Sequence, residues 1–207
     1  MTLDEALAQC PVVAILRGIG PAEACDHVTA LFEAGVRVVE VPLNSPEPLT
    51  SIGEIAHRFG EAMIVGAGTV LNEGQVDAVA AVGGRLIVSP NTTPRVIASA
   101  LGLGLDPVPG FASATEAFAA IEAGAHHLKL FPAVSYGPGH LKQLKAVLPP
   151  ERRVWAVGGV SAENISEWSM GGARAFGLGG ELYRAGQSVL ETAANATRAV
   201  NAALALR

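Results

Sequence analysis

The 207-residue chain has few charged, aromatic or cysteine residues. Charged side chains make up only 16% of it and hydrophobic ones 50%, which argues against disorder and for a heavily buried sheet. A net charge of −5, with no basic cluster denser than Arg152-Arg153, argues against a nucleic-acid partner. Cys10 and Cys25 form no CxxC motif, so we expect a reducing, cytoplasmic setting.

The chain also lacks targeting, membrane and metal-binding signals. Residues 1–10 carry no basic region before an apolar stretch, and the apolar run at 12–16 is too short to span a bilayer. We therefore expect neither a secretory signal nor a membrane partner. The adjacent His126 and His127 should point to opposite faces of a strand. No H-x-x-x-H motif or carboxylate cluster indicates a metal, and we expect no cofactor.

Eight short runs typical of buried strands recur along the chain, separated by helical patterns such as Val28, Leu31 and Phe32. The runs are VVAIL (12–16), VVEV (38–41), MIVGA (63–67), LIVS (86–89), LDPVP (105–109), HLKLF (127–131), VWAV (154–157) and ARAFG (173–177). This alternation predicts an α/β fold, a single (β/α)8 TIM barrel over residues 1–207 with an N-terminal helix. An open doubly wound sheet is the alternative, although no complete G-x-G-x-x-G follows the first strand.

Helix-start signals fall between the predicted strands. Ser45-Pro46 and Thr93-Pro94 each predict an N-cap followed by a first-turn proline, and Ser113 with Glu116 predicts a capping box. These signals place helices after the second, fourth and fifth strands.

Two opposite charges occur inside apolar strands. Lys129 lies in the sixth predicted strand and Glu40 in the second, each shortly before a proline. Both therefore lie near the carboxyl ends of their strands, the catalytic face of such barrels, and could point to its centre. A buried ion pair without chemistry is the alternative, but such a pair rarely repays its desolvation. A desolvated lysine can form a Schiff base with a carbonyl, and a nearby carboxylate can move protons.

Glycine-rich loops follow the last two predicted strands, AVGGVSAEN (156–164) and FGLGGELYR (176–184). Together they predict a phosphate site, with a short helix from Glu181 adding its N-terminus. Arg17 ends the first strand and could bind a carboxylate. Thr69 and Pro90 occupy the corresponding ends of the third and fourth strands.

Seven segments in this order resemble the class I aldolases that cleave 2-keto-3-deoxy-6-phospho sugar acids: VVAILRG, EVPLNSP, GAGTVL, SPN, LKLFPA, AVGGV and GLGGELYRAG. The resemblance covers nearly all of the chain. It implies reversible cleavage to pyruvate and glyceraldehyde 3-phosphate without a metal, and a homotrimer. It also implies roles for twelve residues: Lys129 as Schiff-base lysine, Glu40 as proton shuttle, Arg17 and Thr69 holding pyruvate, Pro90 and Phe131 lining its pocket, and Val157, Gly158, Gly159, Gly179, Gly180 and Glu181 holding phosphate.

The same resemblance distinguishes two substrates that differ in configuration at C4. Gluconate enzymes of the family usually carry an arginine-threonine pair where this chain has Asn44-Ser45, and threonine where it has Val157. These differences favour the 6-phosphogalactonate acid, as a preference and not as exclusivity. Gly180 departs from the family pattern, because close relatives commonly have serine there.

Two other functions remain open from the residues alone. A phosphate-binding barrel isomerase would also use glycine loops after the last two strands, but it would not need Lys129. A non-catalytic sugar-phosphate binder would show no turnover at all.

Overall fold

Nine parallel strands form one sheet in the computed structural model, which describes residues 1–206. The strands are β1 (Val12–Ile15), β2 (Val38–Pro42), β3 (Ile64–Gly68), β4 (Leu86–Val88), β5 (Asp106–Val108), β6 (Gly110–Phe111), β7 (His127–Leu130), β8 (Arg153–Val157) and β9 (Ala175–Leu178). Their order is β5-β4-β3-β2-β1-β9-β8-β7-β6. The first and last strands of this order are consecutive in the chain, so the sheet curves into a nearly closed barrel. The predicted (β/α)8 architecture is confirmed.

The fifth predicted strand, 105–109, is confirmed as β5, but the sequence analysis missed β6, which follows it at Gly110–Phe111. Pro109 lies between β5 and β6. The carbonyl of Val108 accepts from Ser89 N at 3.2 Å, whereas that of Pro109 accepts from Lys129 N at 2.8 Å. Strands β5 and β6 therefore pair with β4 and β7, respectively. The covalent link between β5 and β6 closes the barrel.

Helices connect the strands and cover the outside of the barrel. They are α1 (Leu3–Gln9), α2 (Pro21–Ala34), α3 (Pro48–Phe59), α4 (Glu73–Ala81), α5 (Pro94–Gly102), α6 (Ala114–Glu122), α7 (Ala133–Lys145), α8 (Ile165–Met170) and α9 (Val189–Leu204). Within residues 1–206, none of them combines the length and apolar character needed to cross a membrane. The larger hydrophobic core lies between these helices and the sheet.

Two of the three predicted helix starts are confirmed. Thr93 is the N-cap of α5, and Ser113 forms a capping box with Glu116 at α6. The start at Ser45-Pro46 is wrong, because α3 begins at Pro48. The Ser45 hydroxyl instead accepts a hydrogen bond from Gly18 N at 2.9 Å, which ties the turn after β2 to the turn after β1.

A second, smaller core fills the barrel interior and reaches down to α1. Leu3, Ala6 and Leu7 of α1 pack in one cluster with interior side chains that include Val38 and Trp155. Helix α1 therefore covers the amino end of the barrel.

Candidate active site

A cavity of about 250 Å³ lies at the carboxyl ends of the strands. All twelve residues that the sequence analysis singles out line it: Arg17, Glu40, Thr69, Pro90, Lys129, Phe131, Val157, Gly158, Gly159, Gly179, Gly180 and Glu181. Ile15, Val160 and Gly177 also line it and were missed. Ile15 and Gly177 lie two residues before Arg17 and Gly179, so the period of a strand could have indicated them.

Lys129 points into this cavity from β7. Its residue is only 5% exposed, and burial lowers the pKa of its amine to about 8, although Glu40 opposes that shift. The Nζ atom lies 4.6 Å from the centroid of the Phe131 ring. Within residues 1–206 it makes no hydrogen bond or salt bridge. The amine is thus buried, unpaired and close to losing its proton at neutral pH.

Glu40 faces Lys129 from β2, on the opposite side of the barrel. It is 4% exposed, and burial raises the pKa of its carboxyl to about 7, an effect that Lys129 and Arg17 partly offset. Its Oε2 atom is buried without a hydrogen-bond partner in the described part of the chain. The carboxylate packs directly on Gly68, where an added Cβ would overlap Oε2. Such a carboxyl can both accept and donate a proton near neutral pH.

One side of the cavity presents a cation. Arg17 follows β1, and its Nη1 donates to Asn44 Oδ1 at 2.6 Å. Thr69 follows β3 with a φ of 58°, a left-handed conformation that is unusual for a β-branched residue. Strain of this kind persists where the surroundings hold the residue in place, as at ligand sites.

The other side consists of the glycine loops after β8 and β9. Gly158 and Gly159 have φ values of 95° and 75°, and an added Cβ at Gly159 would lie 2.5 Å from Val134 Cβ. The loop after β9 carries Glu181, whose side chain is exposed. The absence of bulky side chains leaves room for an anion beside the backbone.

The helix predicted from Glu181 is wrong. The N–H groups of Leu182 and Tyr183 both donate to Gly179 O, at 2.8 and 2.9 Å, which makes a single turn. The next helix, α9, begins only at Val189. The Tyr183 hydroxyl donates to Glu23 Oε1 at 2.9 Å and anchors the turn to α2. Any anion contact here depends on the turn and not on a helix dipole.

A separate polar cluster lies at the amino end of the barrel. His126 precedes β7, so strand alternation does not apply to it, and both His126 and His127 face Asp4. Their ligand atoms lie within 4.8 Å of one another, as in a metal site. However, Trp155 Nε1 donates to His127 Nδ1 at 3.0 Å, which places the proton of a neutral His127 on Nε2, the atom that faces Asp4. Arg153 Nε also lies 2.9 Å from Asp4 Oδ1. We infer that this cluster anchors α1 to the barrel.

Comparisons with known proteins agree in family and in fold. A family model described as "Aldolase: KDPG and KHG aldolase" matches residues 3–197. The chain is 52% identical over 192 residues to 2-dehydro-3-deoxy-6-phosphogalactonate aldolase of Escherichia coli (strain K12), covering 93% of this chain and 94% of that protein.

Two solved structures are similar over almost the whole chain. One, described as "Native KDPGal structure", has a TM-score of 0.93 at 51% identity and covers 95% of both chains. The other is a cube-shaped cage designed by fusing symmetric oligomeric domains; its TM-score is 0.94 at 50% identity, over 96% of this chain and 73% of that one.

Proposed function

The chain belongs to the KDPG and KHG aldolase family, and from this membership and its cavity we propose the reaction that it catalyses. It is a class I aldolase that cleaves 2-dehydro-3-deoxy-6-phosphogalactonate to pyruvate and D-glyceraldehyde 3-phosphate. The observation that carries this proposal is Lys129, a buried and unpaired amine that faces a buried carboxylate across the cavity. Such an arrangement costs stability and is typical of a nucleophile with its proton carrier.

Lys129 begins the reaction as a nucleophile. With a pKa of about 8, about a tenth of the amines are neutral at pH 7, compared with fewer than about one in a thousand for an exposed lysine. The neutral amine attacks the C2 ketone, and loss of water together with uptake of one proton from solvent gives a protonated imine. The imine accepts the electron pair of the C3–C4 bond when that bond breaks.

Glu40 moves the protons. As a carboxylate it removes the proton of the C4 hydroxyl, the C3–C4 bond breaks, and glyceraldehyde 3-phosphate leaves. The protonated Glu40 then returns the proton to C3 of the enamine, and hydrolysis of the imine releases pyruvate and the free amine. A pKa of about 7 suits a group that acts first as a base and then as an acid.

The two ends of the cavity match the two ends of the substrate. We assign the substrate carboxylate to Arg17, beside Thr69, with Pro90 and Phe131 as walls. The phosphate is assigned to the opposite loops, at Val157, Gly158, Gly159, Gly179, Gly180 and Glu181. This arrangement leaves C2 beside Lys129 and C4 toward Glu40.

The galactonate configuration at C4 is supported by the name of the Escherichia coli relative and by two positions in this chain. Val157 lines the cavity where gluconate enzymes usually have threonine, and Asn44-Ser45 replaces their arginine-threonine pair. We expect a preference for this epimer over 2-dehydro-3-deoxy-6-phosphogluconate and not exclusive use of it.

We also propose that the protein assembles as a homotrimer. A cage built from symmetric oligomeric domains contains a chain that is 50% identical to this one, which supports an oligomer. Light scattering of the purified protein should give three times the chain mass of 21.1 kDa. A monomer or dimer at working concentrations would contradict the trimer and leave the activity untouched.

Trapping of the imine tests the function directly. The protein is incubated with pyruvate and sodium borohydride, and its peptides are mapped by mass spectrometry. We expect a reduced pyruvyl adduct on Lys129, no adduct in Lys129→Met, and an unchanged adduct in the control Lys142→Met, which removes an exposed lysine of α7. Turnover of the two C4 epimers then identifies the sugar. No adduct in the folded wild-type protein would refute the aldolase and favour the phosphate-binding isomerase.

A further inference from the structure

Arg17 and Asn44 lie on neighbouring turns at the rim of the cavity. Arg17 follows β1 and Asn44 follows β2, and these strands are adjacent in the sheet. The hydrogen bond from Arg17 Nη1 to Asn44 Oδ1 measures 2.6 Å. Within residues 1–206 the guanidinium makes no other hydrogen bond or salt bridge. This hydrogen bond therefore orients a long, exposed side chain.

The turn that carries Asn44 is itself held on both sides. Leu43 N donates to Gly68 O and Ser45 N to Pro42 O, both at 2.9 Å. The Ser45 hydroxyl also accepts from Gly18 N, next to Arg17. Asn44 is thus a fixed acceptor that is tied to β3 as well as to the turn of Arg17. It does not line the cavity, so it acts on a ligand only through Arg17.

The charge of the acceptor matters as much as its position. A carboxylate at this place would form an ion pair with Arg17 and would compete with any anion that enters the cavity. The amide oxygen orients the guanidinium and adds no negative charge beside it. An arginine side chain loses rotamer entropy when it is immobilised, so orienting it before the ligand arrives favours binding.

We propose that Asn44 is a positioning residue that orients Arg17 toward the substrate carboxylate without neutralising it. The inference rests on the proposed function, because that function assigns the carboxylate to Arg17. It makes Asn44 part of the machinery for the pyruvate end, although the side chain touches no substrate.

Two substitutions separate orientation from charge. Asn44→Ala removes the acceptor, and the pyruvate concentration that gives half-maximal borohydride trapping should rise about 3- to 10-fold, the range of one hydrogen bond. Asn44→Asp keeps an acceptor of the same shape but adds a charge, and the rise should reach about 10- to 100-fold. In both variants the KM for cleavage should rise more than kcat falls, because the lost interaction concerns binding.

A double-mutant cycle tests whether Asn44 acts through Arg17. In an Arg17→Ala background, Asn44→Asp should have no further effect on half-maximal trapping. Asn201→Asp, an equal charge change on the exposed side of α9, should leave the wild-type value unchanged. An unchanged value in Asn44→Asp, or the same fold increase with and without Arg17, would overturn the inference while wild-type trapping stands. Failure of wild-type trapping would instead refute the proposed function.

Discussion

Strand β7 buries two ionisable side chains on the same face, and their surroundings differ at every point. His127 lies at the amino end of the barrel and Lys129 two residues further toward the carboxyl end. His127 Nδ1 accepts a hydrogen bond from Trp155, and its Nε2 lies 3.2 Å from Asp4 Oδ1. Burial lowers the pKa of His127 to about 4, so the ring is neutral at pH 7. Lys129 has no such partners among residues 1–206.

The comparison separates a structural buried polar group from a chemical one. At the amino end, His126, His127 and Arg153 all lie within 3.9 Å of Asp4 and fasten α1, and burial keeps the His127 ring neutral near pH 7 through its pKa of about 4. At the carboxyl end, Glu40 Oε2 has no hydrogen-bond partner within residues 1–206. The pKa values of Glu40 and Lys129 both lie within about one unit of neutral pH. A buried charge without a partner lowers the stability of the fold. Proteins tolerate this loss mainly at functional sites, where a ligand supplies the missing partner.

The largest effect should come from Lys129→Met, which removes the nucleophile and the buried charge together. We expect cleavage to fall at least about 10⁴-fold and the melting temperature to rise. The folded pKa of about 8 lies below the unfolded value of 10.5, so the buried charge destabilises the fold fully below pH 8. The gain in melting temperature over the wild type should therefore shrink as pH rises from 8 to 10.5. A lower melting temperature at pH 7 would show that Lys129 supports the fold as His127 does.

Gly68→Ala should impair the same end of the barrel without removing a reacting group. The new methyl group overlaps Glu40 Oε2 and moves the carboxylate, and a misplacement of about 1 Å typically costs about 100-fold in rate. We expect kcat for cleavage to fall by that factor while borohydride still traps pyruvate on Lys129. Gly102→Ala is the control, because nothing lies within 4 Å of its added Cβ. Equal activity in the two variants would mean that Glu40 has room to move.

The dependence of kcat/KM on pH should reflect the groups at the carboxyl end of the barrel and not those at the amino end. Attack requires the neutral amine of Lys129, and the C4 step requires the ionised Glu40, so both groups must lose a proton. Since their pKa values are about 8 and about 7, kcat/KM should rise with pH and fall at least about 10-fold per unit below pH 7. His127 is already neutral in this range and contributes nothing. A flat profile between pH 6 and 8 would contradict the two shifted pKa values.

Features that depend on residues close together in the sequence could be predicted, whereas contacts between distant residues could not. Lys129 and Glu40 stand out because a charge inside an apolar strand is visible in the sequence itself. The hydrogen bond between Arg17 and Asn44 and the packing of Glu40 on Gly68 join residues 27 or 28 positions apart, and only the pairing of adjacent strands brings them together. The failed helix start at Ser45 has the same cause, because its hydroxyl is used by Gly18.

Asp4→Asn tests the polar cluster at the amino end of the barrel. It removes the charge that Arg153 and His127 face, and because Asp4 is partly exposed we expect a loss of only about 1 kcal/mol in the free energy of unfolding. Cleavage kinetics should stay within about twofold of the wild type, because α1 lies at the opposite end of the barrel from the cavity. Urea unfolding and steady-state rates measure the two effects. A large loss of kcat with an intact fold would mean that the two ends of β7 are coupled.

The smallest effect should come from Gly180→Ser, which restores the hydroxyl that close relatives commonly carry. An added Cβ at Gly180 meets only Arg184 Nε, at 3.8 Å, so serine fits without strain. One more hydrogen bond to the phosphate should lower the KM for the phosphorylated substrate about 2- to 10-fold, with half-maximal trapping by pyruvate unchanged because pyruvate has no phosphate. Gly102→Ser is the control at an open position. An unchanged or higher KM would show that the backbone of the two glycine loops already supplies the hydrogen bonds that the phosphate needs. The polar groups at the carboxyl end would then all have partners once the substrate is bound.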